Sequence, residues 1–473
     1  MCKRIFLTIL LLIFPVLCYG FTVTDGLKVN GHIYNQTSYR TTEGEFVASE
    51  NWIQLEAEYE LLKEKAEIYG VYRTIYDAMY DMRSDEGYWS RYKNSRQRLS
   101  NENKMREIYL DIHLKKADIR IGKQQIVWGE TDGLRLMDLI NPLDMTRQYV
   151  TKSWEDIRRP LTSVKLDYYI IPEKDFFLEA VWIPEIKTDK IFMDPADPSS
   201  PWSLESPKLQ FAPTPFGPIP IIPHVVDRKP ASSPRNSEFG LKLNGVNSGY
   251  HWTLNFFRGY NYTPVTKFKG ARPLFPPASP FPMPVILANL ETVYEKQNVL
   301  GITFNKPWGM WVFRGEFANY FHKRFNTSDT SDSDGIVRKN QLQYMLGFDR
   351  PTWIKALNDF QTFFISGQFF HFHTSKGHDL ISGPYQQVFD RNFYAVSLLI
   401  NTGYDRNRIV PEILTVYDIT NTGWYMKPKI TFQYGDHWRE EIGGLIFQGD
   451  KSEFPFGVMN KKDEIYFMIK YQF

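Results

Sequence analysis

After residue 20 this chain has no apolar stretch of the ~20 residues that a bilayer-crossing helix needs; its apolar residues recur instead at every second position. Val164, Leu166, Tyr168 and Ile170 are interleaved with Lys165, Asp167 and Tyr169. Phe239, Leu241 and Leu243 alternate with Glu238, Gly240, Lys242 and Asn244, and Leu342, Tyr344, Leu346 and Phe348 with Gln341, Gln343, Gly347 and Asp349. Successive side chains of an extended strand point to opposite faces, so each segment has one apolar and one polar side. A half-buried sheet in water gives the same pattern. Alternation therefore predicts strands without deciding what covers their apolar side.

The spacing of the segments decides more. Strands are predicted near 27–41, 49–62, 66–80, 105–115, 117–127, 161–171, 175–186, 238–247, 250–263, 290–304, 309–325, 338–349, 359–374, 392–403, 409–420, 423–434, 438–449 and 462–473. Their connections alternate between tight turns, such as 63–65, 116, 172–174, 247–249, 306–308 and 435–437, and long loops at 81–104, 128–160, 187–237, 264–289, 326–337, 375–391 and 450–461. An even set of strands with turns at one end and loops at the other is the pattern of an all-β transmembrane antiparallel barrel with long extracellular loops. A very short outer connection at Asn421 and Thr422 and a medium inner one at 350–358 leave sixteen strands open beside eighteen.

Composition agrees. Lys3 and Arg4 precede an apolar run from Ile5 to Leu17, and Cys18, Tyr19 and Gly20 stand before Phe21, the pattern of a cleaved secretory signal peptide over 1–20. The run is too short for a membrane anchor, and Leu17 is too bulky for the small-residue context of a lipidated Cys18. Both cysteines lie in this leader, so the remaining single domain, 21–473, carries no disulfide and needs a large core, a metal or a closed sheet to hold it. The net charge of +2 also disappears with Lys3 and Arg4. No basic stripe with interleaved aromatics remains, which argues against nucleic acid as a partner. A mean hydropathy of −0.39 excludes a polytopic helical membrane protein, while 16% aromatic residues suit interface girdles.

Two resemblances follow. Ile465, Phe467, Ile469, Tyr471 and Phe473 alternate up to a terminal aromatic. This end resembles bacterial outer-membrane barrels, whose last strand is read by the barrel-assembly machinery, and it implies a Gram-negative outer membrane with Ile469, Tyr471 and Phe473 in the assembly signal. The run from Ile121 to Glu130 (IGKQQIVWGE), followed by Asp132-Gly133-Leu134-Arg135, by Leu139 to Asp144, and later by Arg158-Arg159-Pro160 and Leu166 to Tyr169, resembles the porin-like family catalogued as domain of unknown function 1302. Some members of that group are associated with exporters of the resistance-nodulation-division type and with hydrophobic compounds.

The third outer loop, 128–160, is the position at which general porins fold a loop into the lumen, an analogy of architecture alone. It contains a helix-like stretch from Gly133 to Ile140 and mixes Glu130, Asp132, Asp138, Asp144, Glu155 and Asp156 with Arg135, Arg147, Arg158 and Arg159. Opposed charges across a narrow pore filter solutes by size and dipole; the same residues could equally clamp the loop to the wall. Arg120, Lys165, Asp167, Lys242, Gln341 and Gln343 are expected to face the lumen. The Pro-rich loops 187–237 and 264–289 contain FAPTPFGPIPIIPHVV (211–226) and RPLFPPASPFPMPVIL (272–287), in which no regular strand is expected.

Other constellations carry little. His371 and His373 share a strand face with Phe369 and Ile365, which fits an aromatic girdle better than a metal site with His378. Asp329, Asp332, Asp334 and Gly335 lack the closing Glu of a calcium loop. No G-x-S-x-G, H-E-x-x-H or phosphate-cradling glycine loop occurs. No cofactor, metal or enzymatic activity is expected; the only candidate bases are His322, His371 and His373, with no nucleophile beside them. The leading expectation is a porin-like channel for passive solute transport. A barrel serving an envelope export or hydrophobic-uptake system comes second and an outer-membrane enzyme third. Outer-membrane lipids, lipopolysaccharide and the assembly machinery are the expected partners, with a homo-oligomer or an inner-membrane exporter left open.

Overall fold

The computed structural model describes residues 21–24, 26–82, 95–147, 150–190, 202, 210–212, 219–274, 285–329, 331–375, 379–382, 387–388, 390–450 and 455–473. Eighteen strands close into one antiparallel barrel. They are β1 (Leu27–Arg40), β2 (Glu45–Leu62), β3 (Ala66–Asp77), β4 (Asn101–Leu114), β5 (Ala117–Gln124), β6 (Leu161–Ile171), β7 (Phe176–Ile183), β8 (Glu238–Asn247), β9 (Tyr250–Tyr260), β10 (Lys296–Trp308), β11 (Trp311–Thr327), β12 (Ile336–Thr352), β13 (Phe363–Thr374), β14 (Asn392–Asn401), β15 (Ile409–Asp418), β16 (Trp424–Tyr434), β17 (Trp438–Gln448) and β18 (Glu464–Gln472). Each pairs with its neighbour in sequence, and β1 closes the ring on β18 from His32 opposite Gln472 to Arg40 opposite Glu464. Each expected segment holds a barrel strand, although 290–304 begins in a separate strand and joins the barrel only from Lys296, so the sixteen-strand alternative falls away. Closure lets the sheet stand in hydrocarbon, because it pairs the backbone N–H and C=O groups of every strand and leaves no edge over.

The alternation sorts the two faces. Ile121, Tyr168, Leu342 and Ile465 point outward and are 45, 46, 39 and 54% exposed, whereas Gln341 and Gln343 point inward and are 1 and 8% exposed. At one end the strands are joined by tight turns. Ser248 and Gly249 form a two-residue hairpin with both residues at positive φ, 50° and 75°, as the type I′ turn matching strand twist requires. The medium connection at this end, 353–362, is pinned by buried Asn358, whose amide donates to Thr402 Oγ1 at 3.0 Å and to the Gly403 carbonyl at 2.9 Å.

The other end carries the long loops, and here two expectations change. Gly133 to Ile140 forms bends and no helix; the helical turn of this loop lies at Trp154–Ile157, where the Ser153 hydroxyl caps the Asp156 N–H at 3.1 Å. A side chain at Gly133 would crowd the wall, since a Cβ there would lie 3.0 Å from Ser397 and 3.1 Å from Val416. The Pro-rich loops do contribute strands. Gln210–Ala212, Ile219–Val226, Val265–Leu274 and Val285–Val293 form a separate four-stranded sheet, with Ile219–Val226 parallel to Val285–Val293. Pro220 pairs only with Phe211 and Pro223 only with Ala288, so each can turn its missing donor to an unpaired side, the edge position that proline tolerates in sheets. Residues 1–20, 213–218, 275–284 and His378 lie outside the described residues.

Candidate functional site

β5 stops at Gln124, and the chain then turns into the barrel instead of rising above it. The Gln125 amide donates to Glu107 Oε1 at 2.8 Å, and the Ile126 N–H donates to Asn141 Oδ1 at 2.8 Å. Trp128 is buried edge-on to Phe257 of β9, with its indole N–H donating to Glu179 of β7 at 2.5 Å. Leu136, Met137 and Ile140 are 2% exposed or less and pack on Val181, Ile183, Val299, Ala318, Met345 and Phe370, side chains on the inner face of β7 and of strands from β10 to β13. Each such buried side chain contributes roughly 1.5–3 kcal/mol of anchoring. Further along, Leu134, Met145 and Val150 pack toward Val416, Tyr425, Leu445 and Phe447 on β15 to β17.

Polar contacts complete the fastening. On β11, Glu316 accepts the Glu130 N–H at 2.5 Å and the Met137 N–H at 2.9 Å. Asp132 receives Arg314 at 2.8 Å, the Ser366 hydroxyl at 3.0 Å and Gln368 at 2.7 Å; Arg314 also binds Asp349 at 2.7 Å and the Glu130 carbonyl at 3.1 Å. Asp138 holds Arg135 at 3.1 Å and Arg158 at 2.8 Å. On the opposite wall Arg147 pairs with Glu50 at 3.2 Å and Lys152 with the same carboxylate at 2.8 Å. Arg73 holds Asp156 at 2.7 Å, Arg106 binds the main-chain carbonyls of Glu155, Asp156 and Arg158, and Lys427 binds those of Val150 and Thr151 at 3.1 and 3.0 Å. Arg159 donates to the Thr188 carbonyl, and Glu155 itself is exposed.

The loop thus spans the lumen and is bonded to strands on both sides. Burial alone would raise the Asp144 carboxyl, but the Lys190 ammonium at 2.9 Å, the Thr146 hydroxyl and Lys104 outweigh it and hold the group at about 2. Burial also works against the charge on Asp156, and Arg73, Ser153, Arg106 and Lys152 more than compensate, so its carboxyl titrates below the usual range.

Arg120, Lys165, Asp167, Lys242, Gln341 and Gln343 lie on the inner faces of their strands. Arg120 forks onto Asp111 with two contacts of 2.7 Å, Lys165 pairs with Asp167 at 2.6 Å, and Lys242 with Glu179 at 3.0 Å. Gln343 donates to Gln341 at 2.9 Å, and Gln341 to Thr374 at 3.1 Å. In the last strand Ile469 lies opposite Asn35, Tyr471 packs on Trp438 with ring centroids 4.9 Å apart, and Phe473 exchanges two backbone hydrogen bonds with Gly31. His371 and His373 lie on the outward face, His371 stacked on Tyr394 at 4.4 Å, and Asn392 Oδ1 contacts both imidazoles. That is a girdle environment, and no cluster of metal-ligating residues exists among the described residues. The wall partners Glu316, Arg314, Gln368, Glu50 and Lys427 could not be singled out from sequence, since each is simply one inward position of an alternating strand.

A closed eighteen-stranded barrel with a long loop packed into its lumen has the fold of porin-type outer-membrane barrels. The chain belongs to the family described as protein of unknown function DUF1302, whose profile matches residues 36–473. Its fold is similar to that of Acinetobacter baumannii OccAB2 (TM-score 0.51, 10% identity, 96% of this chain and 99% of that one). Pseudomonas aeruginosa OccK2 (OpdF), in complex with glucuronate, is comparable at TM-score 0.51 and 8% identity over 96% and 99% of the two chains. So is P. aeruginosa OpdK with vanillate, at 0.50 and 8% over 95% and 99%. No curated protein sequence matches the chain.

Proposed function

We propose that the protein is an outer-membrane channel for passive solute transport in which the loop 125–160 restricts the lumen to a narrow path. The observation that carries this reading is the fastening of one loop to inner-face residues from β1 round to β16, among them Glu50, Arg73, Glu316, Gln368 and Lys427. A loop held on all sides is a fixed filter, and the paired charges of Asp132, Arg314, Asp138 and Arg158 beside it supply a polar rim. Trp202, from the long loop after β7, adds a second restriction at the outer mouth by packing on Val47, Ala48, Met79, Tyr80 and Leu99.

A second reading, a barrel serving hydrophobic uptake or envelope export, is favoured by the outer sheet, where Ile222, Val225, Val226 and Phe268 are about 40% exposed. Liposome swelling separates the two. The channel reading expects permeation of small sugars with a sharp fall as solute size increases. Absence of permeation at every size would overturn it in favour of the second reading.

A further inference from the structure

Going outward along β12, the lipid side reads Phe348, Leu346, Tyr344 and Leu342, and then changes to Asn340 and Arg338. The neighbouring strands carry an aromatic belt just inside that change, with His371 stacked on Tyr394 and edge-on to Tyr344 at 5.2 Å. Aromatic belts mark the boundary between hydrocarbon and headgroups. Arg338 lies two lipid-side positions beyond Leu342, roughly 10 Å further out for a tilted strand. That is headgroup depth on the outer leaflet.

On β11 Arg324 reaches the same spot because the register slips. Between Tyr320 and Lys323 β11 holds one residue more than β12, and His322 sits at φ 55°, a left-handed conformation uncommon for a side chain of this kind. Below this bulge the odd-numbered residues of β11 face lipid; above it the even-numbered ones do. Lys323 therefore turns inward, over the rings of Tyr320 and Phe325 at 4.8 and 5.4 Å, and Arg324 turns outward directly opposite Arg338. Like charges facing across a strand pair repel, so this local strain places two guanidiniums together at an energetic cost.

One carboxylate lies between them. Glu295 Oε1 accepts from Arg324 Nη2 at 2.8 Å and from Arg338 Nη2 at 2.7 Å, leaving one positive charge in excess and further N–H donors on an Arg338 side chain that is 55% exposed. The other charges nearby are engaged elsewhere. Lys296 is turned to the main-chain carbonyl of Ser237 at 2.8 Å, and Asp334 is held by Lys267 at 3.0 Å. A cleft lined by Glu295, His322 and Arg324 opens beside the pair.

We propose that Arg324 and Arg338 bind a phosphate of the phosphorylated glycolipid that forms the outer leaflet. Guanidinium forks suit phosphate oxygens, and at this depth the phosphate is covalently part of a lipid whose acyl chains lie along Leu342, Leu346 and the aromatic belt. The inference rests on the outer-membrane placement of the barrel and is independent of what the lumen conducts.

Native mass spectrometry of the detergent-solubilised full chain, titrated with bisphosphorylated lipid A, tests it. The wild type should bind roughly tenfold tighter than Arg324→Gln/Arg338→Gln, with the exposed single variant Arg338→Gln intermediate. Arg408→Gln, which removes one exposed charge at the turn end of the barrel, should bind like wild type, and dephosphorylated lipid should bind all four forms alike. Heat-modifiable mobility on gels reports that each variant is a folded barrel. Equal lipid A binding by wild type and folded double variant overturns the proposal, as does inorganic phosphate binding as tightly as lipid A. Conductance, which these variants leave unchanged, tests the channel reading separately.

Discussion

At the scale of single residues, the loop in the lumen depends on carboxylates set into the wall. Glu316 has two main-chain N–H groups aimed at it, from Glu130 and Met137. Removing it leaves both donors unpaired in a buried place, at about 1–3 kcal/mol each. Glu316→Ala should accordingly loosen the strand of loop carrying Arg135, and trypsin should cut there faster in the folded barrel; wild-type cleavage rates in the variant would contradict the tether. Asp144 provides a pH-dependent fastening. Its carboxyl is held at about 2 by Lys190, below the ordinary carboxylate value of about 4, so the contribution is complete above the ordinary value and is lost as pH falls toward 2. Pepsin cleavage within 141–160 should rise steeply between about pH 4 and 2. Asp144→Asn should already be cleaved at the upper end of that window, and a flat wild-type profile would count against the tether.

At the scale of elements, the barrel strands were legible because lipid and lumen impose period two on every one of them, and the turn-and-loop alternation set their order. What went unread has physical causes. Gly133 to Ile140 has helix-like spacing, yet wall contacts with Ser397, Val416 and Glu316 decide its path. The strands of the outer sheet were hidden by Pro220 and Pro223, which forbid a central strand but not an edge. The wall partners of the loop residues, among them Glu50, Glu316, Gln368 and Lys427, are scattered over strands far apart in sequence. β5 depends on one close approach: at Gly122, φ is 143° and an added Cβ would lie 2.3 Å from the Ile108 carbonyl. Gly122→Ala should therefore destabilise the barrel by about 1–3 kcal/mol, lowering the temperature at which its fast-migrating folded form is lost on gels. An unchanged transition would mean that the strand relaxes at no cost.

At the scale of the whole molecule, closure of β1 on β18 removes every edge and leaves the interior to be shaped by loops. A core of loop and wall side chains, Leu136, Met137 and Ile140 against Val299, Met345 and Phe370, holds the loop inside the barrel. In the proposed channel this inserted loop, and not the barrel wall, limits passage. Single-channel conductance in planar bilayers tests it most directly, with the intact chain beside a variant lacking 131–157. Small, discrete openings are expected for the intact protein and a severalfold larger conductance for the deletion; equal conductance in two folded barrels would contradict the role of the loop.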